Sequence, residues 1–469
     1  LEFRRVLFRS AYLRHYLRSP RLVRAGPAGP AYGYDDLAAP RDTSWPDTLV
    51  ATHVEVTPLA PGVVYGAYRY RVVQRGESTR GVSERVFVRT PEGWKIAATT
   101  AFPAPPELPP PPFAFTGATI VDGTGRPPIR DGTIVLRDGR IACVGPRAAC
   151  PVPPDAEPID ATGKWIIPGL VDAHVHYSQT GWADGRPDAL DVRDRFPYER
   201  TVAELRAHPE RFYRAYLCSG VTATFDVGGY PWTWSLRGPG EAARAAEPWA
   251  ADRSTTMPHI AAAGPLLSTR DHWVNLPGEK QFLYMSDDSA VRAGVRFLAA
   301  HRTDAVKIWF LAGRDAPDTA RVKALVAAAA EETKRAGLPL IVHATGLWQA
   351  KVALRAGAKL LVHSVYDEPV DDEFLALARR AGAIYTPTLT VFRGYQELRA
   401  RRFEPGRYPL ACVDPETRRK AFLTDSLPSR PAPDALARAD SAARARYRLM
   451  LANLARVHAA GIPVAMGTD

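Results

Sequence analysis

Four histidines and one aspartate between residues 174 and 469 have the chemistry of metal ligands. His174 and His176 are two residues apart in the apolar run LVDAHVH, and on a β-strand this spacing places both imidazoles on one face, where they can chelate one ion. His343, His363 and Asp469 each stand at or near the end of another apolar run. An HxH pair alone is a weak signal. Five such side chains at one pole of one fold would predict a metal site.

Lys307 lies inside the apolar run AVKIWF (305–310), which is predicted to be buried. A buried ammonium group is costly unless it is paired or has lost its charge. One alternative is a lysine at a strand edge whose ammonium group extends to solvent. We favour a neutralised Lys307 within the site, as an amine or as a covalently modified anionic group, because metal ions would repel a cation.

Parallel strands that alternate with helices would position these residues. From Gly169 onward, strand-sized apolar runs are separated by helical stretches such as 318–336 and 434–460. Continuous apolar runs are typical of strands buried on both faces, and eight of them predict a (β/α)8 TIM-like barrel, an α/β fold with its chemistry at the carboxyl ends of the strands. The stretch 393–433, rich in arginine and proline, is expected to cap the barrel mouth or to lie on its surface. The eight runs are 170–176, 221–227, 259–266, 305–310, 339–345, 359–365, 383–389 and 463–468.

The barrel, residues 169–469, is preceded by smaller elements. Residues 113–168 read as short strands joined by Asp-Gly turns and predict a small β-sandwich. The proline-dense stretch 103–112 predicts an extended linker and a domain boundary. Residues 50–100 alternate apolar and polar side chains, which indicates an antiparallel sheet with one covered face. Residues 1–10 are interpreted as a non-native cloning scar.

Composition excludes several classes of protein. Hydrophobic residues make up 46% of the 469 residues and charged residues 24%, a globular balance. No apolar run approaches the ~18 residues of a membrane span, so no span is predicted. The net charge of +11 is spread over alanine-rich helical stretches instead of one dense basic stripe, so no nucleic-acid partner is predicted.

Two family resemblances follow from these patterns. The ending ERVFVRTPEGWKIAATTAF resembles the closing hairpin of NTF2-like (SnoaL-like) domains, which implies a partial α+β cone over residues 11–102, interpreted as an accessory or dimerisation module. The segments GKWIIPGLVDAHVH, IVHATG, LVHSV and GTD, together with Lys307, resemble the amidohydrolase superfamily over residues 113–469, close to its imidazolonepropionase-like and prolidase-like members. Against that pattern the chain is expected to be C-terminally truncated, and both ends are interpreted as cut.

The second resemblance implies the binuclear branch, in which the strand-four lysine is carboxylated by CO2 and bridges two divalent metal ions, usually zinc. Metal-bound hydroxide is then expected to attack the amide carbonyl. Asp469 would accept the proton of the nucleophile and deliver it to the departing nitrogen. The implied ligands are His174, His176 and Asp469 for one metal, His343 and His363 for the other, and carboxylated Lys307 for both.

Further candidates lie near the same pole. His272, in the loop after the third run, could bind substrate or stabilise the oxyanion, although an ordinary loop histidine is an equal alternative. Tyr177, Arg270 and Trp273 could line a pocket, and Arg270 could pair with a substrate carboxylate. Asp226, at the end of the second run, is expected to orient a loop or a histidine instead of binding metal.

The expected activity is hydrolysis of amide C–N bonds, with an Xaa-Pro or other dipeptide as the favoured substrate. Opening of a cyclic amide or deamination, of the imidazolonepropionase type, is the alternative within the same fold. A non-catalytic binding protein built on the barrel is the alternative from another class. The partner is a small-molecule or peptide substrate, and a homo-oligomer stays open.

The spacing of Cys143 and Cys150 allows a disulfide, which would favour a bacterial periplasmic or secreted protein, whereas the reduced form would leave the cytoplasm open. Cys218 and Cys412 are expected to be isolated.

Overall fold

The chain separates into two compact units, residues 1–110 and 111–469. The computed structural model describes residues 13–26, 29–38, 48–74, 77–103, 112–237, 257–313, 317–427 and 432–469. The interpretation of residues 1–10 as a scar lies outside the described residues, and so does most of the predicted linker, residues 104–111.

The first unit is a seven-stranded sheet with a short helix, Tyr34–Ala38 (α1). The predicted antiparallel sheet is confirmed, because β3, β4, β5 and β6 pair antiparallel in sequence order. Pro61 and Gly62 connect β3 to β4, and the positive φ of Gly62, 78°, suits a tight turn that a side chain would strain. The strands are Val23–Gly26 (β1), Gly29–Tyr32 (β2), Thr48–Ala60 (β3), Val63–Gln74 (β4), Glu77–Thr90 (β5), Gly93–Thr100 (β6) and Phe102–Pro103 (β7).

The second unit opens with one five-stranded sheet. Asp138 and Gly139 both have positive φ, 56° and 67°, as a two-residue hairpin turn requires, and they join β9 to β10. The described residues of this stretch form one hydrogen-bonded sheet, in which β12 pairs with β8, and the sandwich stays a prediction. The strands are Phe113–Ile120 (β8), Ile129–Arg137 (β9), Arg140–Pro146 (β10), Glu157–Asp160 (β11) and Trp165–Ile166 (β12).

Parallel strands that alternate with helices make up the rest of the second unit, as predicted. They form two sheets, in the orders β13-β14-β15 and β17-β16-β18-β19-β20-β21. The predicted run 259–266 breaks at Gly264, whose φ is 63°, so it supplies both β15 and the start of β16. The strands are Leu170–Val175 (β13), Val221–Asp226 (β14), His259–Ala262 (β15), Leu266–Ser268 (β16), Phe282–Tyr284 (β17), Val306–Trp309 (β18), Leu340–His343 (β19), Leu360–Val362 (β20) and Ile384–Thr386 (β21).

The last predicted run, 463–468, lies against both the first and the last of these strands. Val464 forms a parallel bridge with Tyr385 of β21, and the N–H of Ala173 in β13 donates to the carbonyl of Met466 at 2.9 Å. The N–H of Asp469 donates to the carbonyl of His174 at 2.6 Å. The end of the described chain is therefore fixed beside β13.

Helices cover the parallel strands and bury an apolar core between the two layers. Asp287 and Asp371 cap two of these helices by accepting hydrogen bonds from the N–H groups of Ala290 and Phe374, both at 2.9 Å. The predicted helices 318–336 and 434–460 are confirmed as α5 and α10. The helices are Tyr198–Ala207 (α2), Glu210–Cys218 (α3), Asp288–Ala300 (α4), Thr319–Arg335 (α5), Leu347–Arg355 (α6), Asp372–Ala381 (α7), Leu389–Ala400 (α8), Pro415–Ala421 (α9) and Pro433–Ala459 (α10).

Residues 389–427, which we call the cap segment, contain α8, α9 and short 3-10 turns. A disulfide joins Cys412 of this segment to Cys218 at the end of α3, with a Cα–Cα distance of 5.4 Å. Cys218 and Cys412 were predicted to be isolated; the structure contradicts this, because the fold brings together residues 194 positions apart. Cys143 and Cys150 also form a disulfide, so all four cysteines are paired.

Polar contacts hold the cap segment as well. Lys420 forms a buried ion pair with Asp184 at 2.8 Å. Arg211 of α3 donates two hydrogen bonds of 2.9 Å to the carboxylate of Asp414. The indole of Trp182 adds a hydrogen bond of 2.9 Å to the hydroxyl of Thr424. The disulfide and these polar contacts together attach the cap segment to the rest of the second unit.

Among the helices that the structure describes, none combines the length and the apolar character needed to cross a bilayer.

We expect replacement of Cys412 by Ser to lower the free energy of unfolding by about 5 kcal/mol, because the Cys218–Cys412 bond closes a very long loop in the unfolded chain. The matched control is Cys150→Ser, which opens a loop with a sequence separation of 7 and should cost about 2 kcal/mol by the same chain-entropy relation. Urea unfolding of both variants measures the difference, and equal losses would contradict the prediction.

The ion pair between Arg211 and Asp414 predicts a pH dependence of stability. Burial raises the pKa of Asp414, but the hydrogen bonds from Arg211 and Thr417 and the charge of Arg211 together outweigh burial and leave this pKa below its ordinary value. The pair therefore stabilises the fold above the unfolded pKa of about 4. This stabilisation is lost as the pH falls through the lower, folded pKa. Asp414→Asn keeps a good helix cap and removes the charge, so its deficit in melting temperature should be present at pH 7 and shrink at pH 3.

Candidate metal centre

The carboxyl ends of the parallel strands bring together side chains from five separate stretches of the chain. His174 is the penultimate residue of β13, and His176 follows that strand directly. His343 ends β19 and His363 follows β20. These positions share one pole because the strands run parallel.

The tightest part of this cluster consists of two imidazoles and one carboxylate. The Nε2 atoms of His174 and His176 are 3.3 Å apart, and Oδ1 of Asp469 is 3.0 Å from each of them. Electron-rich atoms this close repel one another unless a proton or a metal ion lies among them. Burial lowers the pKa of His174 to about 3, against the opposing effect of Asp469, so its ring is neutral at neutral pH and keeps one nitrogen lone pair. The donors therefore fit a divalent cation.

The other two imidazoles continue the cluster. The ring centroids of His174 and His363 are 4.7 Å apart, and those of His363 and His343 are 4.4 Å apart. Burial lowers the pKa values of His343 and His363 well below the ordinary value, which keeps both rings neutral and able to donate a lone pair. One donor atom from each of His174, His363 and Asp469 lies within 4.8 Å of the others, a group that could hold a metal ion.

Lys307 of β18 is buried, with 2% of its surface exposed, as the apolar run predicts. Burial lowers the pKa of its amine to about 8, although Asp469 and Asp226 favour the charged form. Lys307 lines the same cavity as His176, His343, His363 and Asp469. A substantial fraction of neutral amine is therefore available near pH 8.

Two residues of the cluster have strained backbones. The φ angles of His363 and Asp469 are 73° and 67°, in the left-handed region that disfavours residues with a Cβ. Thr388 has φ 41°, and its hydroxyl lies 2.9 Å from Nδ1 of His363. Such strain costs about 1–3 kcal/mol per residue and is concentrated at functional sites, where it fixes the direction of a side chain.

Two buried aspartates accept hydrogen bonds from backbone N–H groups in and next to the histidine–aspartate cluster. The carboxylate of Asp172 accepts hydrogen bonds from the N–H groups of His174 and Thr468, both at 3.1 Å, and from the hydroxyl of Thr468 at 2.6 Å. Asp172 thus ties the first histidine of the cluster to the residue that precedes Asp469. The sequence did not single it out, although its position in DAHVH places it on the same strand face as His174.

Asp226 has the orienting position predicted for it. Its carboxylate accepts hydrogen bonds from the N–H groups of Tyr177 at 3.1 Å and Gly228 at 3.0 Å. The carbonyl of Gly228 in turn contacts Nδ1 of His176 at 2.5 Å, which directs Nε2 of that ring toward Asp469. Burial raises the pKa of Asp226 to about 6.

The remaining candidates lie away from the histidine–aspartate cluster. The Tyr177 side chain is buried among Phe212, Tyr213 and Tyr216 and does not line the cavity in the described structure. Arg270 is exposed. Their roles as substrate contacts stay predictions.

His272 packs behind the cavity wall. Its ring is 4.9 Å from that of Trp309 and 4.8 Å from that of Phe282, and both of these residues line the cavity. Trp273, the exposed neighbour of His272, lies 4.8 Å below the guanidinium of Arg193. The structure therefore brings His272 near the cavity but not into the cluster of ligands.

A cavity of about 520 Å³ opens beside the histidine–aspartate cluster. Its wall includes residues that the sequence did not reveal, since they lie on irregular loops or on the cap segment. Arg186 donates to both carboxylate oxygens of Asp188, at 2.9 and 2.8 Å, and to the hydroxyl of Tyr395 at 2.7 Å. The predicted location of the segment 393–433 over the site is therefore partly confirmed, because α8 forms one wall.

Comparison with solved structures finds proteins of similar fold. A prolidase complexed with N-methylphosphonate-L-proline has 20% sequence identity and a TM-score of 0.51, with 76% of this chain and 78% of that chain covered. Ochratoxinase of A. niger has 20% identity and a TM-score of 0.52, with 76% of each chain covered. Molinate hydrolase has 21% identity and a TM-score of 0.50, with 77% and 73% covered. At these identities the likeness shows the fold.

Fold and site together define an α/β protein with donors for a metal ion at the ends of its parallel strands. A family model described as Amidohydrolase family matches residues 165–469, about two thirds of the chain, so the chain belongs to the amidohydrolase family. It is therefore an enzyme, a hydrolase that acts on carbon–nitrogen bonds, in a family that generally depends on metal ions. A comparison with curated proteins found no match.

We expect Asp172→Asn to weaken metal binding about 10- to 100-fold, because an amide cannot accept all three hydrogen bonds that hold His174 and Thr468. Metal content after dialysis against a graded chelator series measures the effect. The matched control is Asp160→Asn, an exposed aspartate whose carboxylate accepts from the N–H of Thr162 at 2.9 Å. Loss of metal from the control to the same degree would contradict the prediction.

Proposed function

We propose that this chain is a metal-dependent amidohydrolase that cleaves amide bonds of peptide-like substrates, with Xaa-Pro and other dipeptides favoured. The observation that carries the proposal is the convergence of His174, His176 and Asp469, with Oδ1 of the aspartate 3.0 Å from both Nε2 atoms, beneath a cavity of about 520 Å³. A cavity of this size accommodates a dipeptide.

The proposed architecture is a closed (β/α)8 barrel, in which the segment 463–468 is the eighth strand between β21 and β13. The hydrogen bonds from Ala173 to Met466 and from Tyr385 to Pro463, both 2.9 Å, support this closure. We assign the first unit to an NTF2-like accessory module and residues 113–168 to the small domain of the barrel.

The proposed cofactor is a pair of zinc ions. His174, His176 and Asp469 would hold one ion, and His343 and His363 the other. Lys307, once carboxylated by CO2, would contact both. The depressed pKa of Lys307, about 8, supports this step, since only the neutral amine attacks CO2. When bound, such ions polarise an amide carbonyl and make a water nucleophilic at neutral pH.

The protein's own groups then move the proton. The ionised carboxylate of Asp469 accepts a proton from the attacking water and returns it to the departing nitrogen, first as general base and then as general acid. Burial alone would raise the pKa of Asp469. The neighbouring imidazoles, His174 above all, lower this pKa by more than burial raises it and leave it well below its ordinary value. Asp226 and Asp172 keep the ligands aligned throughout, which limits reorganisation during the reaction.

Two other functions are separable by experiment. A cyclic-amide hydrolase or deaminase would follow if the purified chain holds one metal ion instead of two. A non-catalytic binding protein would follow if the chain binds small molecules and turns over none. The pairing of all four cysteines supports a periplasmic or secreted location, where disulfides persist.

We expect the chain, supplied with zinc and bicarbonate, to hydrolyse members of a dipeptide library, and Asp469→Asn to lower kcat about 10²–10⁴-fold through loss of proton transfer. Release of free amino acids measures turnover, and metal analysis counts the bound ions. The control is Asp138→Asn, in an exposed hairpin turn that tolerates asparagine equally well.

Hydrolysis of a lactam or lactone in the absence of dipeptide turnover would overturn the dipeptide assignment and keep the reaction class. An Asp469→Asn variant as active as the unmodified chain would overturn the proposed role of Asp469.

A further inference from the structure

Three hydrogen-bonded side chains of the cavity wall have no part in the proposed reaction. Arg186 donates to the two carboxylate oxygens of Asp188 at 2.9 and 2.8 Å, and its remaining terminal nitrogen donates to the hydroxyl oxygen of Tyr395 at 2.7 Å. All three residues line the cavity. We call them the arginine network, which connects the loop after β13 to α8 of the cap segment.

Asp188 fixes the orientation of the Arg186 guanidinium. The exposed fractions of the two side chains are 16% and 27%, respectively. Burial raises the pKa of Asp188, but the hydrogen bonds and the charge of Arg186, with smaller contributions from His272 and a backbone N–H group, outweigh burial and lower this pKa. The carboxylate is therefore ionised at neutral pH. It holds one edge of the planar guanidinium, and another N–H group of the guanidinium is directed at Tyr395.

His272, a candidate from the sequence, contacts this network through Asp188. Its Nδ1 accepts a hydrogen bond from the N–H of Val274 at 3.2 Å, so the neutral ring carries its proton on Nε2. Burial lowers the pKa of His272, against the opposing charge of Asp188, and this favours the neutral ring. Nε2 lies 3.8 Å from Oδ2 of Asp188, longer than a hydrogen bond. His272 is thus a neighbour of the network and not one of its hydrogen-bonded members.

The Tyr395 hydroxyl retains a proton that it can donate. Its oxygen accepts from Arg186, and among the residues that the structure describes no group accepts its proton. Burial raises the pKa of Tyr395 to about 12, and the charges of Asp469 and Asp188 add to this rise against the charge of Arg186, so the hydroxyl is protonated at neutral pH. A hydroxyl that accepts from a cationic donor is polarised and becomes a stronger donor itself. The cavity wall therefore presents a fixed O–H donor.

We propose that Tyr395 is a substrate-binding residue whose hydroxyl donates a hydrogen bond to an amide carbonyl oxygen of the bound substrate, and that Arg186 and Asp188 are positioning residues that fix the direction of this donor. The inference rests on the proposed function, because it takes the occupant of the cavity to be an amide. A carbonyl oxygen is the neutral acceptor that every amide carries, and it would satisfy a donor that is otherwise left without a partner in the described structure.

Two probes that differ in one atom test the role of Tyr395. The amide oxygen is the main acceptor of N-benzoylpyrrolidine, and N-thiobenzoylpyrrolidine carries sulfur, a much weaker acceptor, in its place. Calorimetric titration into the full chain with a chelator present measures binding without turnover. We expect Tyr395→Phe, which removes only the hydroxyl, to weaken binding of the oxygen probe about fivefold, the usual net effect of one hydrogen bond, and to leave binding of the sulfur probe nearly unchanged.

The same probes separate positioning from a merely structural role. Arg186→Met and Asp188→Asn should each weaken binding of the oxygen probe more than that of the sulfur probe, because the Tyr395 hydroxyl loses its fixed direction. Arg186→Lys, which keeps a cationic donor, should restore part of the difference. A structural role alone would weaken binding of both probes to the same degree, and that result would overturn the positioning role.

The matched control is Tyr408→Phe, which removes the hydroxyl of another tyrosine of the cap segment. This hydroxyl donates to Glu397 at 2.7 Å, and Tyr408 is not among the described residues that line the cavity. The control should bind both probes as the unmodified chain does. A Tyr395→Phe variant without an oxygen-selective loss, binding of neither probe by the unmodified chain, or the same loss in the control overturns the role of Tyr395.

Hydrolysis of dipeptides by the zinc-supplied chain is measured separately. An oxygen-selective loss in Tyr395→Phe without hydrolysis of any amide would overturn the proposed function and retain the role of Tyr395. Hydrolysis of dipeptides by a chain whose probe binding is unaffected by Tyr395→Phe would do the opposite.

Discussion

The structure depends on the close approach of one carboxylate and two imidazoles, a contact that a cation would stabilise. One carboxylate oxygen of Asp469 faces two imidazole nitrogens at 3.0 Å, and these nitrogens are 3.3 Å from each other. The three atoms come from opposite ends of the parallel unit, which is almost 300 residues long. Their approach is imposed by backbone hydrogen bonds between the segment after Ile462 and β13, and by the buried carboxylate of Asp172. Holding these electron-rich atoms together costs folding stability, and a bound ion would offset that cost.

Part of the site follows from the sequence alone. The period of two along a strand is enough to place His174 and His176 on one face. The burial of Lys307 follows from the apolar residues on both sides of it. The positions of His343 and His363 follow from the rule that parallel strands share their carboxyl ends. These inferences succeed because each depends on local geometry or on the direction of the strands.

The rest depends on contacts between distant residues. The bond between Cys218 and Cys412 and the pairing of Arg186 with Tyr395 each join stretches separated by about two hundred positions, with no local pattern that signals the partner. The break between β15 and β16 depends on one glycine with positive φ, and β17 is a three-residue strand flanked by irregular chain. The clustering of the candidate metal ligands could therefore be predicted from the sequence, whereas the shape of the cavity above them could not.

The disulfide between α3 and the cap segment also divides the six candidate ligands into two groups. Lys307, His343 and His363 lie within the ring that the Cys218–Cys412 bond closes, whereas His174, His176 and Asp469 lie outside it. During refolding with the bond intact, the first three search for one another inside a closed circle of chain, at a reduced entropic cost. The other three must still be gathered from two free arms. Lys307, His343 and His363 are thus expected to come together first, and the residues on the two free chain segments join them afterwards.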